Sequence, residues 1–309
     1  MTCMLKKMLC ASRCAEMLDP TATKFELPSG TLYSDYYEPV EWSEPPVAII
    51  QGTNAALVGQ ADGNIIVAFR GTLSYGGNFE NVFLSIMDWL EDANVQLIPQ
   101  AGVQGKMHAG FLNAVQTIYS GIINEIEKLG FDKPVYITGH SKGAAMAVVF
   151  AALWHADNHP APKGLNVFAA PRSGDKEFIA KFPYTIVPFQ YIYDVVPYLP
   201  PFGPITNDII DLVERLCDNT NKDSLIAKLQ KDYEYGVYQT IQLIKENEQI
   251  HEISGNNIFD EVIDVVEMAW HDITDASEIA DQHSLDKGKG GYYGADYETV
   301  SVPASEDFG

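Results

Sequence analysis

Short apolar runs and longer apolar stripes at helical spacing divide the chain into predicted strands and helices. Residues 47–50, 55–58 and 65–69 are short β-prone runs, and the turn Asp62-Gly63 separates the last two. An Asp-Gly pair between two apolar runs is typical of a β-hairpin. Residues 2–18 precede these runs and predict a short helix, ended by the dipeptide at 19–20.

From residue 108 onward the predicted strands alternate with predicted helices. The helical patterns cover 108–129, 142–153 and 176–181, and the strand-like runs cover 135–137, 165–169 and 188–193. Strict alternation predicts a mostly parallel sheet with right-handed crossover connections and helices on both faces. Ligands of such sheets bind at the carboxyl ends of the strands, so residues that follow strands become candidates for chemistry.

The composition changes between residues 206 and 282, where 18 acidic residues stand against 5 basic ones. Apolar residues recur there at helical spacing in two stripes, which are Leu225, Leu229, Tyr233, Val237, Ile241 and Ile244, and then Ile258, Val262, Val265 and Ala269. We therefore predict one α/β domain over residues 1–309 with an acidic helical insertion at about 206–282. Its carboxylates are interpreted as solvated faces and not as a binding site.

The formal charge of -22 restricts the partners of the protein. Such a charge repels nucleic acids and anionic membranes, and a neutral or apolar substrate is easier to accommodate. No stretch of the chain is long and apolar enough to predict a transmembrane helix. The apolar run after Lys6 and Lys7 stops at Arg13, which is too short for a signal-peptide core. We expect a soluble protein, either cytoplasmic or exported by a route that the sequence does not display.

The four cysteines form no metal-ligand pattern, because three of them, at 3, 10 and 14, crowd one short segment. Reduced thiols are favoured over disulfides. The sequence contains no motif for a cofactor, and we expect the chemistry to need neither cofactor nor metal.

A candidate nucleophile lies in the segment Gly139-His140-Ser141-Lys142-Gly143. The segment follows a β-prone run and precedes an Ala-rich helical pattern, which is the setting of a nucleophile elbow. A serine on such a sharp turn projects its hydroxyl away from the core. Because the next residue opens a helix, its N–H and the positive end of the helix dipole point to where a tetrahedral oxyanion would form.

An acid and a base should follow this serine, in the order Asp then His. Asp194 comes directly after a predicted strand and lies on a loop at the edge where the serine projects. Asp175 is a second candidate, although its place at a helix start is better explained by capping. Asp208 and Asp211 belong to the acidic insertion and are less favoured.

Two histidines remain as candidates for the base once those before Asp194, and His251 within the insertion, are set aside. His283 precedes a Gly-rich loop, whereas His271 continues an apolar helical pattern. A histidine on such a helix is usually structural, which favours His283. His140 is interpreted as a structural turn residue whose side chain points away from Ser141.

These residues give the chain a resemblance to the class 3 lipases, the fungal-type triacylglycerol lipases of the α/β-hydrolase fold. The resemblance extends from about residue 47 to 293, and five ordered segments are far more specific than one elbow. The segments are Ala68-Phe69-Arg70-Gly71-Thr72, His108-Ala109-Gly110-Phe111, the elbow at 139–143, Asp194-Val195-Val196-Pro197 and Asp281-Gln282-His283.

The resemblance implies a triad of Ser141, Asp194 and His283. It also implies an oxyanion hole formed by Thr72 and the backbone N–H of Lys142, and a lid in the segment 73–95, whose helical pattern covers residues 79–90. A competing hypothesis makes the 206–282 insertion the cover of the site.

The chain departs from the family pattern in three places. Lys142 stands where an apolar or amide residue is expected, Ala144 stands where glycine is common, and the interval between Asp194 and His283 is long. The first two departures concern the shape of the pocket and the third concerns the substrate. We expect the Lys142 ammonium to reach a carboxylate such as Asp88, Glu91 or one on the insertion.

The resulting hypothesis is a serine carboxylic ester hydrolase, foremost a triacylglycerol lipase that works through an acyl-enzyme at a lipid–water interface. The family resemblance also permits a phospholipase A1 or a feruloyl-type esterase. A hypothesis of another class is a non-catalytic relative that binds a lipid or a protein, and its signature would be a missing triad member.

Overall fold

The computed structural model of the protein describes residues 2–19, 21–71, 96–201, 203, 205–216, 222–230, 234–246, 249–254, 269–270, 273, 281–289 and 291–294. The predicted helix at 79–90, the residue Thr72 and the alternative base His271 lie outside these ranges. Within them, no helix combines the length and apolar character that a transmembrane span needs.

Eight strands form the central sheet in the order β1-β2-β3-β6-β7-β8-β9-β10. Their bounds are Val47–Gln51 (β1), Asn54–Ala61 (β2), Asn64–Phe69 (β3), Val135–His140 (β6), Gly164–Phe168 (β7), Val187–Tyr191 (β8), Thr240–Ile244 (β9) and Ile250–Ser254 (β10). The strands from β3 to β9 pair in parallel, and the outer pairs are antiparallel. Two short strands, Leu97–Pro99 (β4) and Lys106–His108 (β5), form a separate antiparallel pair that we did not predict.

Six α-helices are described, and they confirm the predicted alternation of strands and helices. Their bounds are Met4–Glu16 (α1), Ala109–Leu129 (α2), Lys142–Ala156 (α3), Lys176–Ala180 (α4), Ile205–Leu216 (α5) and Lys222–Leu229 (α6). The predicted hairpin between β2 and β3 is present, and both turn residues, Asp62 and Gly63, have positive φ angles of 50° and 77°. Such angles match the right-handed twist of a two-residue hairpin.

Helices cover both faces of the sheet, and the alternation of side chains along β6 shows how. Thr138 points to one face, where its hydroxyl lies 3.0 Å from the hydroxyl of Ser12 on α1. Gly139, the next residue, contacts Gly143 at the start of α3 on the other face. Successive residues of a strand point to opposite sides, so α1 and α3 sandwich the strand that ends at the candidate nucleophile.

Helix α1 is held to the β2–β3 hairpin by a buried lysine. The side chain of Lys7 is fully buried, and its Nζ lies 2.5 Å from Glu41 Oε2 and 2.7 Å from Asp62 Oδ2. A buried ammonium must be paired to offset the loss of its hydration, and here the two carboxylates reach it from the partly exposed rim. The pairing fixes where α1 begins relative to the sheet.

The prediction of an insertion that is helical throughout 206–282 is wrong, because β9 and β10 lie within it. Residues 240–244 read Thr-Ile-Gln-Leu-Ile, which alternates polar and apolar residues, and Ile241 and Leu243 are buried. The predicted helical stripe included Ile241 and Ile244 but not Leu243. The parallel edge of β8 needs a hydrogen-bonding partner, and a β-branched alternating segment supplies one.

A substitution in β9 tests whether this acidic region is part of the core. Leu243→Ala should lower the free energy of unfolding by about 2 to 5 kcal/mol, because it removes buried methyl groups and leaves a cavity. Gln242→Ala, at the neighbouring half-buried position, should cost less than about 1 kcal/mol. Urea unfolding followed by fluorescence measures both. Equal small effects would place the segment outside the core.

Candidate active site

Ser141 occupies the turn between β6 and α3 in a strained backbone conformation. Its φ and ψ angles are 55° and -128°, a region that residues other than glycine rarely adopt. The backbone holds the turn from both sides, because Ser141 donates its N–H to Phe168 O at 3.0 Å and accepts at its carbonyl from Ala144 N at 3.0 Å. The serine therefore stands at the carboxyl edge of the sheet and at the amino terminus of a helix, as predicted.

The two glycines of the elbow are required by close backbone contacts. A Cβ atom at Gly139 would lie 2.4 Å from the carbonyl carbon of Gly143, and one at Gly143 would lie 2.3 Å from Phe69 O. Neither contact leaves room for a side chain, and a backbone atom cannot rotate out of the way. The tight packing of β3, β6 and α3 thus depends on these positions.

The hydroxyl of Ser141 is buried and makes no hydrogen bond with any residue that the structure describes, His283 included. A buried hydroxyl without a partner is costly, and such groups concentrate at functional sites. Hydrogen bonds between a nucleophile and its base are often long before a substrate is bound.

Asp194 and His283 form a buried pair across 89 positions of sequence, with Asp194 Oδ2 2.9 Å from His283 Nδ1. We expected Asp194 to follow its strand directly, and it does not. Strand β8 ends at Tyr191, and a turn in which Asp194 N donates to Tyr191 O at 2.9 Å brings the carboxylate back over the strand end. The second oxygen, Oδ1, accepts from Val196 N at 3.0 Å.

Tyr292 also binds Asp194, and sequence reasoning missed it. Its hydroxyl donates to Asp194 Oδ2 at 2.6 Å and accepts from Tyr191 N at 3.1 Å. Burial, followed by the charge of Asp194, raises the pKa of Tyr292 well above its ordinary value, so the phenol keeps the proton that it donates. The only signal was a tyrosine pair in a Gly-rich segment that we did not assign to any element.

His140 turns away from the hydroxyl of Ser141 and lies between α1 and the loop of His283. Its Nδ1 bonds Glu16 Oε1, and its Nε2 lies 2.7 Å from the carbonyl oxygen of His283. Burial alone would lower the pKa of His140, but the Glu16 carboxylate outweighs burial and raises it. Burial also disfavours the charge on Glu16, yet the His140 charge lowers that carboxyl's pKa. Each group therefore favours the charged form of the other.

The alternative acids lie elsewhere in the structure. Asp175 caps α4, where its Oδ1 accepts from Phe178 N at 2.7 Å. Asp208 and Asp211 lie on α5, and Asp211 is 3.4 Å from Arg215. None of the three has a described contact with His283 or Ser141.

The alternative histidines also have other roles. His108 caps α2 with its ring, which accepts from Gly110 N at 3.0 Å, and burial lowers its pKa to about 4. A neutral imidazole is the form that can accept this hydrogen bond. His251 is exposed on β10.

Lys142 is buried beside the elbow and donates from Nζ to Asn54 Oδ1 at 2.8 Å. Burial, with a smaller effect of the nearby Arg70, lowers its pKa to about 8. We expected a carboxylate partner, but this contact is to an amide; Asp88 and Glu91 lie outside the described residues. Thr72 also lies outside them. Its neighbour Gly71 is in contact with the elbow, since a Cβ there would lie 3.6 Å from Ser141 Cβ.

The strained serine at a helix start and the carboxylate-bound imidazole lie at one edge of a mostly parallel sheet. The fold is that of the α/β-hydrolases. The family model described as lipase (class 3) matches residues 66–203, which include the elbow and Asp194. Over these residues the chain is similar to the class 3 lipase family.

Solved structures share the fold at low sequence identity. A mutant form of MDLA from Penicillium cyclopium is 18% identical with a TM-score of 0.57, over 82% of this chain and 87% of the other. A mono- and diacylglycerol lipase from Aspergillus oryzae is 19% identical with a TM-score of 0.54, over 92% of this chain and all of the other (100%). No curated protein matches the chain by sequence.

The contribution of the hydrogen bond from Tyr292 to Asp194 to stability can be compared with that of a similar hydrogen bond elsewhere. Tyr292→Phe removes a buried donor to a carboxylate and should lower the free energy of unfolding by about 1.5 to 3 kcal/mol. Tyr119 makes a bond of the same length, 2.6 Å, to Asp157 at the surface. Tyr119→Phe should cost less than about 1 kcal/mol. Urea unfolding of the two variants side by side tests this, and equal losses would contradict a special role for the buried bond.

Proposed function

We propose that the protein is a serine carboxylic ester hydrolase that cleaves acylglycerols through a triad of Ser141, His283 and Asp194. The buried pair of Asp194 and His283, at the sheet edge that also carries the serine elbow, is the observation on which the proposal depends. The match of residues 66–203 to the class 3 lipase family model supports it. Among the alternative acids, Asp175 caps a helix and Asp211 pairs with Arg215.

The proposed reaction has two halves. Ser141 Oγ attacks the ester carbonyl while His283 Nε2 takes its proton, and the tetrahedral intermediate collapses as the leaving alcohol receives that proton. Water then attacks the acyl-enzyme with His283 again as the base, which releases the acid and restores the serine. Asp194 holds the imidazole by Nδ1 and stabilises its charged form.

The negative oxygen of the intermediate would lie at the start of α3. We assign the backbone N–H of Lys142 to the oxyanion hole, because it follows the nucleophile at a helix amino terminus. Thr72 is proposed as the second donor from its place in the chain, directly after Gly71, which contacts the elbow. The Lys142 ammonium itself points to Asn54 and is not given a role in the chemistry.

The substrate class follows from charge and from the family. A chain of formal charge -22 favours neutral esters over anionic ones. The Aspergillus oryzae relative is described as a mono- and diacylglycerol lipase, and we extend acylglycerol hydrolysis to this chain as a proposal. Phospholipase A1 and feruloyl esterase activities are the alternatives that a substrate panel must separate.

Single substitutions test the triad. Ser141→Ala and His283→Ala should each reduce kcat for p-nitrophenyl esters by at least about 10⁴-fold while the fold is retained, because triad members act as a unit. Asp194→Asn should cost less than either. The assay should include short and long acyl chains and a serine-directed phosphonate, whose adduct mass spectrometry should place on Ser141.

Ser173→Ala is the matched control, because Ser173 is buried and its hydroxyl lies 3.0 Å from Tyr238 OH. This variant should keep wild-type turnover. A wild-type protein without turnover on acylglycerols, phospholipids or aryl esters would support the non-catalytic alternative. Turnover that survives Ser141→Ala would place the reaction at another group.

A further inference from the structure

Helix α1 crosses beneath β6 in a register that brings Glu16 to the residue before the nucleophile. Ser12 Oγ lies 3.0 Å from Thr138 Oγ1, and one helical turn later Glu16 bonds His140. Four residues of a helix advance about 6 Å, and two residues of a strand advance about 6.6 Å. The spacing from Ser12 to Glu16 therefore matches the spacing from Thr138 to His140. The helix therefore presents a carboxylate to the underside of the elbow.

Both ring nitrogens of His140 face oxygen atoms of acceptors. Nδ1 meets the Glu16 carboxylate, and Nε2 meets the carbonyl oxygen of His283 at 2.7 Å. A carbonyl can only accept, so Nε2 must carry a proton and donate it. The carboxylate allows Nδ1 to carry one too, and a charged imidazole donates a stronger hydrogen bond than a neutral one.

The segment that receives this bond is held at two further points, by Arg13 of α1 and by Tyr36, which follows that helix in the chain. Arg13 Nε lies 2.7 Å from Asp286 Oδ1. Tyr36, which packs under the Arg13 guanidinium at 5.6 Å, accepts from Lys287 N at 2.6 Å. The His140 contact is the one that acts on His283 itself, and the ring centroids of the two histidines are 4.5 Å apart.

We infer that Glu16 and His140 are positioning residues for the base: Glu16 charges and orients His140, which holds the backbone of His283 so that its ring stays against Asp194. This inference rests on the proposed function for its kinetic consequence, but not for its structural one. A base must keep its geometry to within a few tenths of an ångström for efficient proton transfer. Asp194 fixes the Nδ1 atom of the His283 ring, and the hydrogen bond from His140 fixes the backbone to which that ring is attached.

Hydrogen–deuterium exchange of the full-length protein tests the structural part whether or not esters are cleaved. His140→Ala should exchange the amides of 281–289 at least about tenfold faster than wild type, because a hydrogen bond from a charged donor is lost. The peptide 47–61 should not change. His140→Gln can still donate from its amide to the same carbonyl and should restore most of the protection. Glu16→Gln, which leaves the elbow intact, should show an intermediate rate.

Steady-state kinetics on a p-nitrophenyl ester test the functional part. His140→Ala should lower kcat by about tenfold or more while KM changes less than twofold, and His140→Gln should stay within about threefold of wild type. Ser141→Ala, measured alongside, shows whether turnover belongs to the proposed site. If the proposed function is wrong, wild type shows no turnover that depends on Ser141, and kcat cannot be compared between samples. If only this inference is wrong, wild-type turnover is intact and the His140 variants have the same kcat as wild type.

Glu125→Gln is the matched control for Glu16→Gln, because Glu125 is a buried helix carboxylate that pairs with Lys128 at 2.7 Å, away from the site. It should alter neither exchange at 281–289 nor kcat. Unchanged exchange in His140→Ala, or equal exchange in His140→Gln and His140→Ala, would overturn the inference. Both comparisons are made well below the unfolding midpoint of each variant.

Discussion

A carboxylate without exposed surface must have its oxygens bonded, and Asp194 meets that constraint with groups from two parts of the chain. His283 and Tyr292 bind Oδ2, and the backbone of Val196 binds Oδ1. Val196 belongs to the same turn as Asp194, whereas His283 and Tyr292 lie in a segment far along the chain, so the two segments must converge before the charge can be buried. The architecture at the sheet edge follows from this requirement as much as from packing of apolar side chains.

The second constraint is the backbone of the elbow. Ser141 is held at a positive φ angle because β7 and α3 both hydrogen-bond to its main chain and because two glycines allow the strands and the helix to meet. Strain of this kind persists only where the surroundings over-determine it. The elbow thus depends on the parallel core, and the buried carboxylate depends on the loops that this core carries.

Sequence reasoning predicted the parts of the molecule that have a local signature. Strand runs, the Asp62-Gly63 hairpin and the elbow each have a short pattern with one physical explanation, and the structure has these elements where the patterns predict them. Asp194 was chosen because it follows the serine and a predicted strand, and His283 because it follows Asp194 and precedes a Gly-rich loop. Their contact at 2.9 Å agrees with that choice of residues, while their catalytic roles stay proposals.

The features that were missed have no local signature. Tyr292 and Glu16 act through contacts with residues far away in sequence, and no pattern in the residues around them indicates those contacts. Strand β9 was assigned to a helix because Ile241 and Ile244 are three residues apart, which fits a helical stripe, whereas the open edge of β8 favours a strand there. Such decisions are tertiary, and propensity cannot make them.

The site draws on segments far apart in the chain, from Glu16 to Tyr292, and this separation affects the order in which the site assembles. During synthesis α1 leaves the ribosome before the elbow, and its charged partner on the elbow appears more than a hundred residues later. The acceptor on His283 is later still. Closing loops of this length is slow compared with forming local structure. A nascent chain can therefore assemble the elbow while the imidazole that we propose as the base is still inside the ribosome, so Ser141 stays without that imidazole until the segment of His283 has emerged.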